Sequence, residues 1–206
     1  DQQEIYYLTG TSRAQVDASP HLEVFRKKGL DVLLLIDPID EWVVQGLPSY
    51  QGLALKSIVH GEIDLGEDQE RDAGTTADLR TAAKAIGAAL GDRVSEVRLS
   101  GRLTDTASCL VSSAGDPGAN LERLMKMLDD RTQEKARILE INPDHPFVRN
   151  VAAQVKRDPT SPRIQLWSEM LFDQALLSEG VVDDPAKLVQ RIQQLLIESS
   201  EAALKI

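Results

Sequence analysis

The sequence predicts a chain of class α/β plus α+β: a small parallel α/β subdomain, then an α+β domain that ends in a helical pair. Three observations carry this. Residues 4–60 alternate short apolar runs with helical periodicity, the grammar of βαβ units. Residues 94–141 hold three strand-like runs interleaved with helical ones. From Pro162 to the end run two marked helices whose apolar stripe has no later element to cover it.

In chain order, residues 5–8 read as a strand and residues 12–28 as helical. Ser12 and Gln15 have capping-box spacing, Ser19-Pro20 restarts the helix and Gly29 ends it, so this stretch is predicted in two pieces. A strand over 32–36, a short helix over 38–45 and a strand over 53–59 follow. Residues 62–76 are acidic and polar, with two glycines and neither period, and are expected to be a mobile connection between domains 1–66 and 67–206. An alanine-rich helix is predicted over 77–90, stopped by Gly91. Strands over 94–100, 108–112 and 137–141 make a small antiparallel or mixed sheet, with a helix over 121–128 between the last two. Asn142-Pro143 ends the third strand, and a helix over 146–155 leads to the terminal pair.

That pair is read over 162–178 and 185–196. Ser161-Pro162 and Asp184-Pro185 each place an N-cap oxygen before a proline whose missing N–H costs nothing in the first turn, and Gly180 follows the first helix as a stop. Ile164, Trp167, Met170, Leu171, Ala175 and Leu176 recur at three- and four-residue spacing, as do Leu188, Val189, Ile192, Leu195 and Leu196. A second copy of the chain is the expected cover, making an intersubunit four-helix bundle and a homodimer.

Composition bounds the function. With 206 residues, 42% apolar and 27% charged, the chain has enough for a real core. A formal net charge of -10 opposes nucleic acid and anionic membrane as partners, both being polyanions. A lone cysteine, Cys109, excludes an internal disulfide and fits a reducing compartment, so a cytoplasmic location is expected. The chain opens on Asp1 and has no apolar run of eighteen residues and no leader pattern; it reads as a cut from a longer soluble protein.

Phosphate-loop, dinucleotide, zinc-protease, nucleophile-elbow and paired-cysteine signatures are all missing. His21, His60 and His145 are far apart in sequence and are read as surface or locally bonded histidines, and Asp37, Asp40 and Glu41 as a helix-capping cluster. Cys109 reads as a small buried apolar residue. No catalytic, cofactor or metal residue is therefore assigned. Trp42, on a short helix open on one side, is a candidate protein contact. Residues 121–128 place Leu121, Leu124, Met125 and Leu128 on one face, and methionine adapts to irregular partners.

The runs Ile5-Tyr6-Tyr7-Leu8-Thr9-Gly10, Pro38-Ile39-Asp40-Glu41-Trp42, Arg102-Leu103-Thr104-Asp105-Thr106, Leu139-Glu140-Ile141-Asn142-Pro143-Asp144-His145-Pro146 and Ala175-Leu176-Leu177-Ser178 resemble, in order and spacing, the heat-shock protein 90 chaperone family, its bacterial branch above all. The resemblance covers nearly the whole chain. It implies the last α/β subdomain of the family's middle domain followed by its C-terminal dimerisation domain. The family's ATP and magnesium site and its catalytic arginine lie upstream of Asp1, so no cofactor and no ATPase activity are expected of this stretch alone. It also implies contact of partly unfolded client proteins with Glu41, Trp42, Leu121, Leu124, Met125 and Leu128, and a dimer seam at Ile164, Trp167, Leu171, Ala175, Leu188, Ile192, Leu195 and Leu196. Pro117-Gly118 opens the client helix less apolarly than in relatives. The end at Ala203-Leu204-Lys205-Ile206 lacks the acidic tail that recruits helper proteins in eukaryotic members, so tail-docking cochaperones are not expected. Another class of function is an enzymatic or ligand-binding α/β domain with an anion at the Gly10-Thr11-Ser12 turn and an accessory dimerisation module. A third is a bare structural linker that dimerises and ignores clients.

Overall fold

The computed structural model describes residues 2–61, 73–113, 115–128 and 135–204. The first sheet has strand order β2-β1-β4-β3, with β1 (Glu4–Thr9) parallel to β2 (Val32–Leu35) and β4 (Leu53–Ser57), and β3 (Ser49–Tyr50) antiparallel to β4. One face is covered by α1 (Arg13–Asp17), a 3-10 turn (Pro20–Leu22) and α2 (Glu23–Lys28), whose Val16, Leu22, Val24 and Phe25 are buried with Leu8 and Ile58. The break predicted at Ser19-Pro20 is present. Its cause is visible: Ser19 Oγ takes the His21 N–H at 3.4 Å, starting a new turn. Gly29 closes α2 with φ 65°, a left-handed conformation that a side chain would disfavour. The short helix α3 (Asp40–Gly46) begins two residues later than predicted, and Asp40 Oδ2 accepts from Asp37 N at 3.0 Å. The two-residue β3 is too short to leave a period in the sequence.

The second sheet is mixed, in order β5-β7-β6: β5 (Val94–Leu99) lies parallel to β7 (Arg137–Ile141), and β6 (Ser108–Val111) antiparallel to it. Against it pack α4 (Ala73–Leu90), α6 (Pro146–Arg157) and α7 (Pro162–Ser178), and Leu79, Ile86, Leu139, Ile141, Val148 and Leu171 form the centre of the larger core. The start of α4 takes residues 73–76 out of the predicted connection; the rest of that connection, and the proposed boundary at 66/67, lie outside the described residues. Two helices stand apart from this core: α5 (Ala119–Leu128) and α8 (Pro185–Ala203), which runs seven residues beyond its predicted end.

The terminal pair brings the largest correction. The stripe on α7 does not await a second copy, because α4, α6 and β6 cover it within the chain. Ile164 is buried, and Leu171 and Ala175 are 0% exposed. Trp167 is half-buried, edge to face with Phe147 at 5.7 Å between ring centres. Ile164, Leu171 and Ala175 thus belong to the core, not to a seam. Helix α8 is the opposite case, with no buried residue. Leu188, Arg191, Leu195 and Glu198 are its half-buried positions, spaced three, four and three apart, whereas Val189, Ile192, Leu196 and Ile197 face outward.

Candidate functional site

Two exposed apolar surfaces lie on α3 and α5, helices joined by a hydrogen bond between Glu41 and Asn120. On α3, Trp42 is 48% exposed and stands with Ile39, Val43 and Leu47, themselves exposed, in a solvent-facing stripe at helical spacing. On α5, Met125, Met127 and Leu128 are exposed, and Leu121 and Leu124 half-buried. Ile39, Val43, Leu47 and Met127 were absent from the sequence-derived set, although the 39, 43, 47 spacing was legible in it. Glu41 requires a correction: it is 6% exposed and its carboxylate accepts from Asn120 Nδ2 at 2.7 Å, so it is not a free contact residue. Its helix points Trp42 outward and Glu41 inward, as neighbours about 100° apart on a helix must.

The two sheets are joined by a polar seam. Glu23, in the first turn of α2, accepts three backbone N–H bonds from the loop of the other layer: Thr104 at 2.7 Å, Asp105 at 2.8 Å and Thr106 at 3.0 Å, with Thr106 Oγ1 adding a fourth donor. Arg102, 1% exposed, pairs with Glu140 at 2.9 Å and donates to the Ile58 carbonyl at 2.5 Å and to the Gly61 carbonyl. Arg98 holds the same carboxylate at 2.7 Å and Gly61 O at 3.1 Å. Beside them the backbones of Val59 and Gly61 bond Ser112 at 3.0 Å each. Nothing in the spacing of these groups along the sequence singles them out. Their burial is what only the docking of the layers creates.

A cavity on this seam is lined by Gln15, Val16, Ser112, Arg137, Glu179 and His21. Burial, then the positive charges of Arg102, Arg137 and His60, push the His21 ring down to about 3, against a hydrogen bond to the Leu110 backbone. His21 is therefore neutral in the fold and ordinary, near 6.5, when unfolded. Since the unfolded state alone gains a proton below 6.5, stability falls as pH drops from 6.5 towards 3, by about 1.4 kcal/mol for each pH unit. Urea titrations at pH 7 and pH 5 should show this loss, and His21→Gln should flatten it. A His21→Gln curve as steep as the parent's would assign the loss to other groups. Burial also lowers His60, whose Nε2 lies 2.8 Å from Asp116 O. His145 caps α6, its Nδ1 accepting from Phe147 N at 3.1 Å.

The turn at Gly10-Thr11-Ser12 is not an open anion site. Gln15 Oε1 accepts from Thr11 N at 2.8 Å and Thr11 Oγ1 at 2.6 Å, and Ser12 Oγ accepts from Gln15 N at 3.3 Å, so the local donors are spent on a side chain of the turn's own helix. Cys109 is buried as expected, and burial first, then Glu140, holds its thiol well above the usual range, which leaves it unreactive. Among the described residues no cluster of three His, Cys, Asp or Glu could hold a metal ion. Within the same residues no helix is long and apolar enough to cross a membrane.

A family model described as Hsp90 protein matches residues 1–205. The chain belongs to the Hsp90 family. Similar relatives bear the name chaperone protein HtpG: that of Geobacter sulfurreducens is 44% identical over 98% of this chain, and that of Geobacter metallireducens 42% identical over 98%. The Nitrosospira multiformis protein of that name is 41% identical over 96% of the chain. This Hsp90 chain spans about a third of the length of those relatives, covering 32%, 32% and 31% of them respectively. Against that background the polar seam joins two layers of one Hsp90 segment.

Proposed function

We propose that this chain is the homodimerising and client-binding part of an ATP-dependent chaperone that assists the folding of other proteins. In this reading it binds no nucleotide itself; ATP and magnesium act elsewhere in the longer protein, and the setting is cytoplasmic. The observation that carries the proposal is the bare outer face of α8. Val189, Ile192, Leu196 and Ile197 remain exposed although the stripe of the neighbouring α7 is covered, and Leu196 is 64% exposed. Exposed apolar area of that kind is stabilised by a self-complementary contact, of about 1,200–2,000 Å² in a lasting dimer. Leu188, Leu195 and Trp167, half-buried, would complete the seam.

Helix α8 is held ready for that contact by α7. Arg191 pairs with Asp173 at 2.6 Å and with Glu169, and Arg163 with Glu198 at 3.5 Å, so the outward face has a fixed orientation. A tethered pair of chains then keeps two arms at high effective concentration, and closure of the longer protein becomes an intramolecular event. Clients would meet Trp42 on α3 and Leu124, Met125 and Leu128 on α5.

Sedimentation tests the dimer. The parent should run at twice 22.6 kDa at tens of micromolar, and Ile192→Glu with Leu196→Glu at 22.6 kDa with unchanged helicity. A parent that sediments as a monomer would remove the seam. Trp42→Ala and Leu124→Ser should weaken capture of a permanently unfolded protein and leave the dimer mass alone.

A further inference from the structure

We infer that Glu41 is a positioning residue: through Asn120 it fastens the first turn of α5 to the first turn of α3, so that two separate apolar patches act as one client surface. This rests on the client reading above and names how that surface is assembled.

The geometry has three parts. First, α5 makes little contact with the core of its own layer, and none of its apolar residues is fully buried. An amphipathic helix so placed has its orientation set by whatever holds its ends. Second, the ties at its start lead across to the first layer. Glu41 Oε1 accepts from Asn120 Nδ2 at 2.7 Å, Arg123 in turn donates to Asn120 Oδ1, and just upstream the Asp116 carbonyl lies 2.8 Å from His60 Nε2. Gly118, whose carbonyl accepts the Glu122 N–H at 2.9 Å, lies where an added Cβ would already touch Val59 at 3.4 Å and His60 at 3.6 Å. Third, Glu41 is buried while its neighbour Trp42 is exposed, and a buried carboxylate is retained only where it has partners. Its charge reaches both Tyr7 and His60.

Each part has a separate consequence. The Glu41–Asn120 bond joins residues adjacent to Trp42 and to Leu121, so it sets how far the α3 stripe lies from the α5 stripe. An unfolded segment spanning both gains from having them pre-positioned. With the bond gone, α5 stays helical by its own period, but its first turn is released.

Hydrogen exchange and client capture on the 206-residue chain test this, with reduced and carboxymethylated α-lactalbumin as the unfolded probe. Glu41→Ala and Asn120→Ala should each speed exchange of the α5 amides about ten-fold, the loss of one charge-assisted bond. Probe affinity should fall about two- to ten-fold. The double variant should be no worse than either single one, because the bond is lost once. Glu41→Gln keeps the acceptor and should restore both readouts. Amides of β7 serve as the internal control and should stay protected throughout. Parental α5 exchange in both single variants, or additive losses in the double, would overturn the latch. If instead α5 loosens as expected but neither these variants nor Trp42→Ala changes probe capture, the latch stands as a structural tie. The client reading, and with it the proposed role of Glu41 in client binding, would then fail.

Discussion

Arg102→Ala is expected to cost about 3–5 kcal/mol of folding stability, read as a lowered urea midpoint. Arg102 is 1% exposed and its guanidinium satisfies three groups at once: the Glu140 carboxylate and the carbonyls of Ile58 and Gly61. Truncation leaves Glu140 with Arg98 and Ser100 as its remaining partners, leaves the Gly61 carbonyl with Arg98 alone, and strips the Ile58 carbonyl of its guanidinium donor. The seam should loosen before either sheet, so amides of residues 58–61 should exchange faster than those of β5 and β7. Arg102→Lys should recover little, since an ammonium is a point charge and cannot span a carboxylate and two carbonyls as a planar fork does. The surface pair of Arg149 and Asp144 at 2.9 Å provides the contrast: there Arg149→Ala should cost under about 1 kcal/mol. An Arg102→Ala chain with the parent's midpoint would mean that the seam adds nothing to stability.

Leu171→Ala is expected to cost about 2–5 kcal/mol, the range for emptying a leucine-sized volume in a packed core. Its side chain lies among α4, α6 and the second sheet at 0% exposure, while its carbonyl is held by Ser108 Oγ at 2.7 Å, so the backbone is anchored and the site cannot readily collapse around the void. Leu171→Glu should leave too little folded chain to measure, because it would place a carboxylate in the apolar cluster of the larger core. A charge at Leu171 therefore reports on folding and not on association. Leu196→Glu, on the open face of α8, should change monomer stability by no more than about 0.5 kcal/mol and act on the dimer alone. Equal urea midpoints for Leu171→Ala and the parent would contradict the burial that removed this residue from the seam.

Local geometry was readable in advance. The cap-plus-proline device starts α8, where Asp184 Oδ1 accepts from Lys187 N at 3.0 Å. Gly29, Gly91 and Gly180 end helical segments at φ 65°, 55° and 75°. The runs that alternate became β5, β6 and β7, and Cys109 went inside. The seam charges were not readable: Glu23, Arg98, Arg102 and Glu140 look in the sequence like any solvated residues, since their partners lie 37 to 83 positions away. Glu41 was expected at an open contact surface and lies buried against Asn120 instead. Spacing shows which residues share a helix face, and for a seven-residue helix it does not show which face is taken by another element.

By itself the sequence determined the order of the longer elements, the period of each stripe, the caps and glycine stops of several helices, and the family. Each of these depends on a residue and its neighbours within a turn or two, or on a string of motifs, and all are present before the chain folds. Tertiary structure alone decided which stripes are covered. The stripes of α7 and α8 look alike as patterns; α7 is buried because α4 and β6, more than fifty residues upstream, arrive against it, while among the described residues α8 packs chiefly on α7 and buries none of its own. Amphipathicity states that a face seeks cover, and only long-range packing states whether the cover lies within the chain.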